Sequence, residues 1–249
     1  MREYDLILSN DIDSLLSCRI LELIKGYKIN YFFDFNSIYR INEPINQVIG
    51  VDIDFKNLKC WSNHYTRNGS YHNENSANLN NTFVMTNYFD KYAGSTLLEI
   101  ISYYDFDISK FSDEAKMILW AIDVAYKGFY RKKFRDVHKK WFISVLQLSD
   151  LYSILSNHTE NDFIEIMKKY NLNSKIWIDK EGYLKTNIKL DEISKVLGFS
   201  IELPKEKFIK SRDFQYEVRE AENLINIDTS KIISIARTRL DEVRLSIAY

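Results

Sequence analysis

Four aspartates and one histidine carry most of the chemistry this sequence offers. Asp11 and Asp13 stand two residues apart in SNDIDSLLS, directly after the apolar run Tyr4–Leu8. Asp52 closes a second apolar run, Gln47–Val51, in VIGVDIDF, with Asp54 two residues on. Asp123 interrupts the apolar stretch WAIDVAY, and His64 lies in the polar segment SNHYT. Taken singly, an aspartate behind a strand is an ordinary helix cap or turn former, because its carboxylate accepts from nearby backbone N–H groups. Taken together, carboxylates gathered at one end of a sheet repel each other unless a cation neutralises them. Such a set points to a divalent ion held by oxygen donors. An ion there polarises a phosphoryl oxygen and lowers the pKa of a bridging water.

Those residues can meet only if the chain supplies a sheet whose strands end together. Tyr4–Leu8 reads as a short buried strand, and Ile12–Lys25 has apolar residues at helical spacing with Gly26 as its stop. Residues 29–33 (INYFF) and Gln47–Val51 read as further strands. Residues 94–104 and 112–126 read as helices, with Ser95 and Ser112 as caps. Strands alternating with helices predict parallel β-α-β units, an α/β sheet with helices on both faces. In such sheets ligands bind beyond the carboxyl ends of the strands, where Asp11, Asp13 and Asp52 fall. The second half reads differently. Residues 136–155 have the spacing of one long helix, 162–170 and 191–197 of shorter helices, 175–188 of a hairpin turning at 180–182, and 232–247 of a terminal hairpin. The expected organisation is therefore a phosphoesterase-like domain over 1–126, a helical connector over 127–160 and a small α+β domain over 161–249.

The order of these motifs resembles the DHH phosphoesterase superfamily over about residues 4–126. Ser9-Asn10-Asp11-Ile12-Asp13-Ser14 looks like the first family motif, Asp52 like the second, and Ser62-Asn63-His64-Tyr65-Thr66 like the third. Asn73, Asn75, Asn78 and Asn80 resemble the Asn-rich stretch that follows. Lys91-Tyr92-Ala93-Gly94-Ser95-Thr96 resembles the next helix start, and Asp123 the last acid. The resemblance implies a parallel-sheet domain of DHH type with a smaller substrate-binding domain. It implies Asp11, Asp13, Asp52 and Asp123 as ligands of Mg²⁺ or Mn²⁺, and His64 as the group that contacts the substrate phosphate. The sequence also departs from the pattern. Ser9 replaces the first-motif His, Ser14 the small residue closing that motif, and Ser62 the Asp that opens the third; the Gly-rich phosphate-holding signature of many relatives is missing. The donors left are mostly oxygen, with Ser9 or Asn63 as possible additions, which moves the set from Mn²⁺ toward what Mg²⁺ prefers.

Composition narrows the partners. The chain has 249 residues, 34 Lys and Arg against 35 Asp and Glu, and a net charge of −1. That balance hides an asymmetry: residues 1–126 carry 11 basic against 17 acidic side chains, and the remainder carries 23 against 18. Within 127–141, seven basic residues accompany one acid. Lys127, Arg131, Lys132, Lys133 and Arg135 are the expected contacts to a phosphate polymer, with Tyr130, Phe134 or Trp141 for base stacking; the plainer reading is a solvated basic face. The Asn-rich stretch from Asn68 to Asn81 reads most simply as a flexible polar loop, and His72, His138 and His158 as structural or incidental. Two cysteines, Cys18 and Cys60, make neither a disulfide framework nor a thiolate metal set. No apolar window is long enough to span a membrane, and no apolar targeting segment follows Met1, so a cytoplasmic protein is expected. The leading functional expectation is a divalent-metal-dependent phosphodiesterase acting on single-stranded nucleic acid or short oligonucleotides. The alternative is a catalytically inactive module of the same fold that binds nucleic acid, nucleotide or a protein partner. A third is a phosphoesterase for pyrophosphate or cyclic dinucleotides.

Overall fold

The computed structural model describes residues 4–44, 46–66, 73–82, 88–220, 228–237 and 240–249. Its strands, in chain order, are Tyr4–Leu8 (β1), Lys28–Phe33 (β2), Ser37–Arg40 (β3), Gln47–Val51 (β4), Lys59–Trp61 (β5), Ser76–Ala77 (β6), Ile176–Ile178 (β7), Leu184–Thr186 (β8), Ile209–Asp213 (β9), Gln215–Glu220 (β10), Ile232–Arg237 (β11) and Glu242–Ile247 (β12). The main sheet has seven strands in the order β6-β5-β4-β1-β2-β3-β9. The pairings β1–β2, β1–β4, β4–β5 and β5–β6 are parallel, whereas β2–β3 and β3–β9 are antiparallel. The fold is thus α/β with a mostly parallel sheet, joined by two small antiparallel sheets, β10-β12-β11 and β7-β8. β1 is buried along its whole length, as a central parallel strand covered on both faces requires.

The helices are Ile12–Lys25 (α1), Leu79–Thr82 (α2), Thr96–Tyr103 (α3), Asp113–Ala121 (α4), Lys127–Tyr130 (α5), Arg135–Lys139 (α6), Ser149–Asn157 (α7), Glu160–Tyr170 (α8) and Leu190–Leu197 (α9). Their starts and stops follow from the sequence. Asp11, Ser95 and Ser112 accept backbone N–H groups at the starts of α1, α3 and α4, and Gly26 and Gly198 end α1 and α9 with φ of 72° and 78°.

Apolar side chains of β1, β2, β4, α1, α3, α4, α7, α8 and α9 share one buried cluster that runs from Tyr4 to Phe208. The opposite side of the sheet buries Ile7, Tyr31, Phe33, Ile53, Phe55, Cys60 and Phe214, with Ile233 of β11 packed against them. No helical residue contributes there among the described residues. The expectation of helices on both faces is corrected accordingly: an aromatic layer, completed by the C-terminal segment, covers the second face. Gly50 permits this layer, because a Cβ at that position would meet the Phe55 ring at 2.7 Å.

The expected boundaries at 126 and 160 fall inside the large cluster, and β9 returns to pair with β3 in the main sheet. The expected connector helix over 136–155 is also corrected. α6 leads into wide π-type turns over Lys140–Val145, Gln147 adopts φ 57°, and α7 starts afresh at Ser149. Trp141, Val145, Leu148, Leu151 and Leu155 still pack against the same core, so their spacing does not reveal the break. The expected helix over 112–126 likewise stops at Ala121, because Asp123 and Val124 have φ of 51° and 52°.

Candidate metal centre

The carboxyl ends of the parallel strands form the floor of the site. β1 delivers Ser9, Asn10 and Asp11, β4 delivers Asp52, and β5 delivers Ser62, Asn63 and His64. Ser14 fastens two of these ends: its hydroxyl donates to the Val51 carbonyl and accepts from the Ser9 N–H, each at 2.7 Å. The Asp52 N–H donates to the Trp61 carbonyl at 2.8 Å while its backbone bends into the left-handed region at φ 58°, which aspartate tolerates better than most residues. Asp123 enters from above on its own left-handed turn.

Asp13, Asp52 and Asp123 converge, each offering one carboxylate oxygen within 4.8 Å of the others. Thr96 joins two of them. Its N–H donates to Asp13 Oδ2 and its hydroxyl to Asp52 Oδ1, both at 2.8 Å. Leu97 N–H supplies Asp13 Oδ1 at 2.8 Å, so the start of α3 holds this wholly buried carboxylate. Asn63 Nδ2 donates to Asp123 Oδ2 at 3.0 Å and to the Gly94 carbonyl at 2.6 Å. Burial first, and then mutual repulsion, push the Asp13 and Asp52 carboxyls well above the usual range. Asp123 faces the open cleft, yet protein surrounds its carboxyl on most sides. That enclosure and the Asp11 charge raise its pKa to about 6. The Asn63 carbonyl oxygen is buried without a hydrogen-bond partner, in a residue only 8% exposed that lines the cleft. Three repelling carboxylates and an orphaned amide oxygen are the donor set a hard divalent cation takes.

Asp11 stands apart from this trio. It caps α1 by accepting the Ser14 N–H at 3.3 Å, and it pairs with Lys175 at 3.2 Å. Its charge still acts on Asp13, Asp52, Asp123 and His64. His64 Nε2 lies 3.8 Å from Asp52 Oδ1. Burial lowers its pKa to about 4, which makes the imidazole neutral at physiological pH.

The Asn-rich stretch corrects another expectation. Within the described part, 73–82, the buried side chains of Asn73, Asn78, Asn80 and Asn81 form a scaffold. Asn80 accepts the Tyr92 N–H and donates to the carbonyls of Asn63 and Tyr92, and Asn78 donates to the His64 carbonyl. Asn73 satisfies the carbonyls of Phe55 and Leu58. Asn68 and His72 lie outside the described residues.

A cleft of about 1050 Å³ opens above the carboxylates. Lys127 and Arg131 line it, although Arg131 is bound through both its terminal nitrogens to Glu160. Lys133 lies over the rings of Phe89 and Phe134, and Phe134 lines the cleft. Arg135 stays with Phe129, donating to its carbonyl, and Lys132 is exposed. Two of the three proposed stacking residues turn inward. The Tyr130 hydroxyl donates to the carbonyls of Leu155 and His158, and Trp141 is buried with its Nε1 on the Asp90 carbonyl. Lys91, which the sequence offers only as part of a helix-start motif, also lines the cleft, as do Lys175, Arg237 and Arg244, which sequence reasoning missed. Arg237 and Arg244 come from the terminal hairpin, which hydrogen bonds to the segment after Asp52 through Lys56 N–H to Ile233 O and Ile235 N–H to Asp54 O. No family model, curated protein or solved structure matches the chain. No helix among the described residues is long and apolar enough to cross a membrane.

Proposed function

We propose that this chain is a divalent-metal-dependent phosphodiesterase of DHH type, acting on single-stranded nucleic acid or short oligonucleotides. The observation that carries the reading is the convergence of Asp13, Asp52 and Asp123 at the carboxyl ends of a parallel sheet, beneath a large cleft. Asp13, Asp52 and Asp123 would hold Mg²⁺ or Mn²⁺, with Asn63 Oδ1 as a further oxygen donor. The bound ion would supply Lewis acidity toward a phosphoryl oxygen and toward water.

The chain's own groups do the rest. Thr96 fixes the Asp52 and Asp13 carboxylates, so they need no reorganisation when a substrate arrives. His64, neutral and beside Asp52, presents a ring nitrogen to a phosphate oxygen or to a water proton. Lys127 and the Phe134–Lys133 pair stand along the cleft, where a backbone phosphate and a base can be met.

One observation favours the second reading, a binding module without turnover. Both Asp13 oxygens already accept backbone N–H groups, which stabilises this carboxylate without any cation. Cleavage of labelled single-stranded DNA and RNA with Mg²⁺, with Mn²⁺ and with chelator separates the two. Metal-dependent cleavage that Asp52→Ala abolishes, with the fold kept, supports the phosphodiesterase. Cleavage that survives in Asp52→Ala sinks that assignment, and binding without cleavage under any metal favours the module.

A further inference from the structure

The cations that line the cleft differ in whether the protein already neutralises them. Arg131 is paired with Glu160 at 2.7 Å, Lys175 with Asp11 at 3.2 Å and Arg244 with Glu242 at 3.1 Å, and the Arg237 guanidinium donates to the Leu240 carbonyl at 2.9 Å. Lys127 is exposed, so water solvates it. Lys91 is unlike all of these. It is partly buried, its ammonium lies 4.9 Å from the centre of the Tyr88 ring, and no carboxylate is ion-paired with it among the described residues. The acid that acts on it most strongly is Asp123, a member of the carboxylate trio.

The backbone around Lys91 is held on both sides. The Asp90 carbonyl accepts from Trp141 Nε1 at 2.9 Å, and the Tyr92 N–H donates to Asn80 Oδ1 at 2.7 Å. The wholly buried Tyr92 ring then anchors the segment through its hydroxyl on the Ser95 carbonyl at 2.9 Å. A flexible side chain thus leaves a fixed point and enters the cleft beside the carboxylates. An enclosed ammonium without a counter-ion is costly, so a site that keeps one gains most when a ligand brings the negative charge.

We infer that Lys91 is the phosphate-binding cation of the site, the group that takes a non-bridging oxygen of a phosphoryl group held against Asp13, Asp52 and Asp123. The inference rests on the metal-centre reading and assigns it a substrate-contacting residue. It also fits the division of charge. The carboxylates repel an anionic substrate, and a cation lining the same cleft offsets that repulsion without competing for the metal.

The test uses the full chain and its Lys91→Met and Lys91→Arg variants, titrated with Mn²⁺ alone and then with inorganic phosphate, with and without Mn²⁺. Lys91→Met should keep Mn²⁺ affinity within about threefold of the unaltered chain and lose phosphate affinity by about 10- to 100-fold, the range for one charge-assisted hydrogen bond. Lys91→Arg should recover part of that loss. Equal phosphate affinity in Lys91→Met and the unaltered chain overturns the inference while leaving a Mn²⁺-binding trio intact. Phosphate bound by the unaltered chain with or without Mn²⁺, and lost in Lys91→Met, keeps the inference even where Mn²⁺ itself does not bind and the metal reading fails. Absence of phosphate binding under both conditions overturns it. A Lys91→Met chain with an unchanged unfolding midpoint shows that the loss is not a folding defect.

Discussion

The Thr96 hydroxyl donates to Asp52 Oδ1 at 2.8 Å from a residue whose own N–H donates to Asp13 Oδ2 at the same distance. One side chain and its backbone therefore set the spacing of two carboxylates that lie far apart in sequence. Thr96→Val keeps the shape and the N–H but removes the hydroxyl, leaving a buried carboxylate oxygen without its donor. We expect Mn²⁺ affinity to fall about 10- to 100-fold, as for other groups that orient metal ligands, and Thr96→Ser to restore it. Titration of the three proteins with Mn²⁺ reads the difference. An unchanged affinity in Thr96→Val would mean that the carboxylates hold their positions without it.

Metal binding should also depend on pH with a definite sign. The Asp123 pKa is raised from its usual 3.8 to about 6, so ionising this group opposes the metal-free fold as pH rises through about 6. A cation binds the ionised form and reverses that penalty. Mn²⁺ should therefore raise the unfolding temperature at pH 7.5 and do little at pH 5. At a hundredfold excess over Kd the gain is about 2.7 kcal/mol. Asp123→Asn should lose most of the Mn²⁺ response. Thermal unfolding at the two pH values, with Mn²⁺ and with chelator, gives the four numbers needed. An equal shift at both would place the cation elsewhere.

Asn80 is wholly buried, and its side chain makes three hydrogen bonds that join the segments carrying Asn63 and Tyr92. Asn80→Ala leaves two carbonyls and one N–H without partners. The expected cost is about 3–5 kcal/mol of stability. Asn75, in the same stretch, is exposed and serves through its backbone, so Asn75→Ala should change stability by less than about 0.5 kcal/mol. Urea unfolding of both variants distinguishes a scaffold from a solvated loop.

The contrast between those two asparagines shows where the sequence is legible. Strand β1, helix α1 and strand β4 follow from apolar periodicity and caps, and with them the placement of Asp13 and Asp52 at one sheet end. The terminal hairpin is legible from its alternation, but its position is not. Bringing Arg237 and Arg244 to the cleft depends on hydrogen bonds to the segment after Asp52, a contact between chain regions without any shared pattern. Composition likewise cannot tell a polar loop from a buried network, since asparagine serves both. The basic run over 127–141 misleads for a related reason. Its charges do not share one helical face, because the chain there is broken into α5, a tight turn at Lys132–Phe134 and α6. The stop after Ala121 is hidden for another reason: the apolar spacing continues through Val124, and nothing in it marks the left-handed backbone at Asp123 and Val124.

His138 offers a test of the fold away from the carboxylates. It is buried among Trp120, Phe142 and Tyr152, its Nε2 hydrogen bonds to the Ala125 carbonyl at 2.7 Å, and its Nδ1 has no partner. Gly128 makes room for the ring, since a Cβ there would meet it at 2.5 Å. Burial lowers the His138 pKa from its ordinary 6.5 to about 4. Between those values the unfolded chain binds the proton that the folded chain refuses, so stability falls as pH drops from about 6.5 to about 4 and levels off below. The shift corresponds to about 3 kcal/mol. Asp123 acts with the opposite sign in the same range, so the informative quantity is a difference between two proteins. His138→Gln keeps an amide donor for the Ala125 carbonyl and cannot titrate. Its stability relative to the unaltered chain should rise by about 3 kcal/mol between pH 7 and pH 4, measured by urea unfolding at each. A constant difference across that range would show that His138 titrates in the folded protein as it does in water.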